Sequence, residues 1–104
     1  MKYQRYYLVL HRPPSQAGLL TLMETARQAQ VHPDLVERME DLGLIEPEQR
    51  SPEILFVPET VADVCRAIRL HNELGINWIG VGLVMDLLER IAQLERELYR
   101  LKKQ

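Results

Sequence analysis

Residues 66–86, RAIRLHNELGINWIGVGLVMD, constrain this chain more than any other stretch. They read as the end of one helix, a tight corner at Leu74-Gly75-Ile76-Asn77, and the start of a second helix. Gly75 suits the positive φ that ends a helix, because it has no Cβ to collide with the backbone. Asn77 suits the N-cap of the next helix, where its side-chain oxygen accepts from a free backbone donor. The only Trp, Trp78, sits at this corner. A Trp so placed most often locks the corner by packing. The alternative is an exposed interface anchor, since Trp is enriched among binding hot spots.

The second helix is expected over about residues 77–103. Val84, Leu87, Ile91, Leu94, Leu98 and Leu101 recur at spacings of 3, 4, 3, 4 and 3, the a/d seam of a coiled coil. A helix packed on one globular core shows a wider and less regular stripe. Glu89, Arg90, Glu95, Arg96, Glu97 and Arg100 flank the seam, and Asp86 with Arg90 forms an i,i+4 pair. The seam predicts a homodimer. The alternative is a tail helix lying on its own domain, but a helix this long outreaches so small a body.

Upstream, MKYQRYYLVLH (residues 1–11) suits a short strand, and the prolines and glycine of residues 12–18 a loop. Thr21 with Glu24 is a capping-box pattern, and Leu22, Ala26 and Ala29 share a helical face with Met23 beside them. This helix should stop near Gln30. His32-Pro33 restarts a second one, with the proline at its favoured first position. Leu35, Val36, Met39 and Leu42 are its apolar face and Gly43 ends it. Two short helices so joined make a helix-turn-helix pattern. Residues 46–58, with three prolines and the apolar run Ile54-Leu55-Phe56-Val57, read as a wing of one loop and one strand, pairing with the N-terminal strand. Pro58 opens a third helix, on which Val61, Val64, Cys65 and Ile68 follow helical spacing.

The chain's 104 residues have room for one domain and an extension: a winged helix-turn-helix domain over 1–76 and a dimerisation helix over 77–104. A hydrophobic fraction of 46% supports a folded chain, though its core is small and dimerisation would help it. A single Cys excludes an intramolecular disulfide. No apolar leader and no run of membrane-spanning length is visible, so a cytoplasmic protein is expected.

No catalytic, cofactor or metal constellation emerges. His11, His32 and His71 lie on different elements without companions at metal-ligand spacing. Cys65 falls on an apolar face, where an inert thiol is the ordinary outcome. Gly75, Gly80 and Gly82 follow no strand and precede no Lys-Ser/Thr, so they are not a phosphate loop. Gly80 and Gly82 suit the close approach of another helix. The expectation is a non-enzyme without cofactors.

Charge separates the remaining functions. The net charge of −2 argues against a general nucleic-acid binder. The second helix and its exit carry Asp34, Glu37, Glu40, Asp41 and Glu46 against Arg38 alone, and the wing offers only Arg50. Facing phosphates, these carboxylates would repel rather than release counterions. Facing a basic protein surface, they would speed encounter and select among partners. The plain alternative is a solvated helix face.

The sequence Arg-Leu-His-Asn-Glu-Leu-Gly at the corner, and the Leu-Gly-Leu-Ile-Glu-Pro ending of the second helix, resemble the MerR-type winged helix-turn-helix. The nearer resemblance is to the CbpM chaperone-modulator branch, from about Leu20 to the C-terminus, with residues 66–74, Trp78 and Asp86 the most specific positions. It implies a mainly α fold with a small β wing and a long C-terminal coiled-coil helix. It also implies a modulator that binds the J-domain of a CbpA/DnaJ-type co-chaperone and limits its action on DnaK. Partner-binding residues are then expected among Asp34, Glu37, Glu40, Asp41, Glu73, Trp78 and Asp86. The alternatives are a MerR-like dimeric DNA-binding transcription regulator and a plain dimeric adaptor.

Overall fold

The computed structural model describes residues 18–103. The strand expected over residues 1–11, and its pairing with the wing, lie outside them. The described chain is mainly helical: β1 (Leu20–Thr21), α1 (Leu22–Ala29), α2 (Pro33–Asp41), β2 (Leu55–Phe56), α3 (Thr60–Leu74) and α4 (Trp78–Lys102). Contacts divide it into two compact units, with the boundary between Cys65 and Arg66, partway along α3.

In the first unit, Thr21 is both the last residue of β1 and the N-cap of α1. An N-cap residue has extended backbone angles, so the two roles are compatible; here ψ is 167°. The expected capping box is formed. Thr21 Oγ1 accepts from the Glu24 N–H at 3.0 Å, and Glu24 Oε1 accepts from the Thr21 N–H at 2.8 Å. Glu24 is only 4% exposed, and the bond to the cap backbone gives its carboxylate a partner.

Helix α1 ends at Gln30, which takes a positive φ of 61°. The Val31 N–H then reaches back to the Ala26 carbonyl at 2.9 Å, a Schellman closure. His32 caps α2, its Nδ1 accepting from the Asp34 N–H at 3.0 Å, and Pro33 follows at the first position. The exit repeats the closure with Gly43 at a φ of 77° and the Leu44 N–H bonded to the Met39 carbonyl at 2.9 Å.

The first unit's core is Ala26, Val36, Met39, Ile45, Leu55, Phe56 and Val64, with Thr25 and Thr60 also buried. The centres of the sequence stripes are therefore inside. Their edges are not: Met23 and Leu42 are exposed. The wing strand β2 pairs antiparallel with β1, Leu20 opposite Phe56 and Thr21 opposite Leu55, and Gln49 bridges back to Leu55. Among the described residues, then, the wing's partner is a segment expected to begin a helix. Pro58 and Glu59 form a turn ahead of α3, which starts at Thr60 rather than at the proline.

The second unit holds the corner. Gly75 has a φ of 67°, and Asn77 caps α4 by accepting the Gly80 N–H at 2.8 Å. His71 donates from Nδ1 to the Ile76 carbonyl at 2.8 Å. Its ring stacks on Trp78, with centroids 4.0 Å apart and planes 14° from parallel. A Cβ on Gly80 would lie 2.8 Å from Ile76 Cγ2 and 3.4 Å from Asn77 Oδ1. The close approach at Gly80 is thus to its own corner, not to another helix. Ala67 and Val81 are buried in this unit.

Candidate functional site: an acidic helix face and an apolar stripe

In the first unit, α2 turns Asp34, Glu37 and Asp41 outward, and all three are exposed. At i, i+3 and i+7 they share one side of the helix. Glu40 lies about a quarter turn away from them. Its side chain is only 14% exposed, and its carboxylate meets Arg50 Nη1 at 3.2 Å. The one cation of the wing is therefore held against a carboxylate of α2. Asp34 is the end of this face nearest the cap, where negative charge is favoured by the helix dipole.

In the second unit, Glu73 and Asp86 are exposed, and Trp78 is half-buried on His71. Packing, rather than full exposure, is thus the main environment of Trp78. Among the described residues Asp86 makes no ion pair with Arg90. The acidic residues of α2 form one face, while Glu73, Trp78 and Asp86 belong to the other unit.

Along α4, the seam residues Leu87, Ile91, Leu94, Leu98 and Leu101 are all exposed, Leu94 at 58%. Val84 is half-buried. Ile79 at 79% and Leu83 at 62% continue the exposed stripe toward the corner. The a/d grid pointed to Val84 there. The missed signal was Leu83, which on a straight helix lies about 40° around from Leu87, against about 60° for Val84.

No three His, Cys, Asp or Glu side chains gather to hold a metal ion among the described residues. No helix among them is long and apolar enough to cross a membrane.

Helix-turn-helix, two-stranded wing and long terminal helix together define a MerR-type regulatory protein. Residues 20–103 match the family described as MerR HTH family regulatory protein. The chain is also 36% identical over 84 residues to the chaperone modulatory protein CbpM of Pseudomonas entomophila, covering 80% of this chain and 83% of that one. A Pseudomonas putida CbpM is 34% identical over the same shares. The CbpM of Citrobacter koseri is 32% identical over 74% of this chain and 77% of its own. The chain belongs to the CbpM chaperone modulatory protein family.

Proposed function

We propose that this chain is a chaperone modulator that docks on the J-domain of a CbpA/DnaJ-type co-chaperone and limits its action on DnaK. The observation that carries the reading is the acidic face of α2. Asp34, Glu37 and Asp41 stand exposed on one side, and the wing's only arginine is engaged by Glu40. Such a face repels phosphate and suits a basic protein helix. The relatives' name supports the chaperone side of the reading. The mechanism is steric: the modulator covers the J-domain surface that DnaK would engage. No bond is made or broken, so no cofactor is called for.

The exposed stripe of α4 supports a homodimer, in which a second copy covers Leu87, Ile91, Leu94, Leu98 and Leu101. On this reading residues 77–104 are the dimerisation helix.

Calorimetric titration with the J-domain, beside a titration with duplex DNA at matched salt, tests the reading. Saturable J-domain binding that falls at least about tenfold in Glu37→Lys/Asp41→Lys is expected, a loss of about 1.4 kcal/mol. Undiminished binding by that variant would remove α2 from the interface. DNA binding with a steep salt slope and no J-domain heat would replace the proposal with a transcription regulator.

A further inference from the structure

The second unit carries a groove lined by Arg66, Arg69, Leu70, Glu73, Leu74 and Leu88, all but one from α3. We infer that this groove is a separate protein-docking site that takes an amphipathic helix of a partner, with carboxylates at one end of its apolar stripe.

The argument begins with exposure. Leu74 is 66% and Leu88 40% exposed, and Leu70 is half-buried between charged neighbours. Arg66 and Arg69 are exposed one turn apart. Among the described residues neither guanidinium meets a carboxylate at ion-pair distance, although Glu73 follows Arg69 at i+4. Two unengaged guanidinium forks beside leucines from two helices make a surface that is both apolar and anion-seeking. Arginine binds carboxylates in bidentate fashion. An amphipathic helix laid into a groove supplies leucine-type anchors one turn apart.

The polarity of the groove sets the occupant's direction. Arg66 and Arg69 stand at one end and Glu73 at the other. An incoming helix therefore places its carboxylates beside the arginines and a neutral or basic residue beside Glu73. The corner next to the groove is held by the His71–Trp78 stack and the His71 bond to Ile76, so Leu74 needs little ordering on binding.

Charge excludes two occupants from within the chain. Residues 1–17 carry Lys2, Arg5 and Arg12 and no acid, so they do not complement arginines. A second copy of the groove repeats the same two arginines. Residues 66–104 hold seven basic against five acidic residues, while residues 18–65 hold three against ten. The groove thus lies in the one unit whose charge favours an acidic partner.

The test is fluorescence anisotropy on the full chain. The probe is a labelled, capped alanine-based helix with leucines at i, i+4 and i+7, two glutamates at one end and a lysine at the other. Its Glu-to-Gln counterpart and a labelled DNA duplex are titrated beside it. Saturable binding is expected, weakened at least about tenfold by Arg66→Glu/Arg69→Glu and similarly by the Gln peptide. Glu37→Lys/Asp41→Lys, on α2, should leave it unchanged. Both arginines are exposed, so the reversed variant should fold, and circular dichroism is the check on that. Absent binding, equal binding of the Gln peptide, or binding indifferent to the reversal would overturn the inference. DNA binding abolished by the reversal would overturn it too, in favour of a phosphate site.

Discussion

At Gly80, a methyl group would meet Ile76 Cγ2 at 2.8 Å, and Ile76 is β-branched and cannot swing aside freely. In an exposed helix, replacing Gly by Ala stabilises by about 1 kcal/mol. Here Gly80→Ala should instead destabilise by about 1–2 kcal/mol, because it strains the corner and disturbs the Asn77 cap. Chemical denaturation measures the sign directly. Gln30 presents the reverse case. It holds a left-handed conformation with a Cβ, at a cost of about 1 kcal/mol that Gly43 avoids in the matching closure of α2. Gln30→Gly should therefore raise stability by a similar amount, read as a higher thermal midpoint. The caps at Thr21 and Asn77 were legible because each depends on residues three or four apart. The strain at Gly80 was not, because it depends on how Ile76 turns after the corner is made.

Helix α2 shows how an element divides its charge. Periodicity alone placed four carboxylates on it, but only Asp34, Glu37 and Asp41 form the outward face. Glu40 is drawn to Arg50, in the loop of the wing. Glu40→Ala should cost about 1 kcal/mol of stability through the lost, partly buried pair. It should also leave J-domain affinity within a few-fold of the parent, whereas Glu37→Lys/Asp41→Lys should not. Helix α4 makes the parallel point for apolar residues. Leu94→Asp puts a charge into the proposed seam, where burial costs several kcal/mol, so light scattering should report monomers. Leu83→Asp tests whether the seam follows the exposed stripe to the corner; a persistent dimer would confine it to Leu87 and beyond.

For the whole molecule, the dominant feature is its charge segregation: residues 18–65 are strongly acidic and residues 66–104 mildly basic. A J-domain interface built on the acidic face must weaken as salt screens it. Near 1 M ionic strength, where the screening length is about 3 Å, parent and Glu37→Lys/Asp41→Lys affinities should converge. Calorimetry across a salt series checks this. A difference that persists would mean that packing, not charge, discriminates the two.

The sequence by itself determined the helix-turn-helix, the Gly75–Asn77 corner and the long terminal helix. Each is encoded by caps, glycines and apolar spacings within a few residues, and such local preferences survive any tertiary context that buries the same faces. Only the tertiary structure decided that β2 pairs with Leu20–Thr21, that Glu40 is taken by Arg50, and that Ile79 and Leu83 stay exposed while Val84 is half-buried. Those outcomes depend on which remote residues come to lie alongside. Helical spacing tells which residues share a face; it does not tell which face the rest of the chain leaves uncovered.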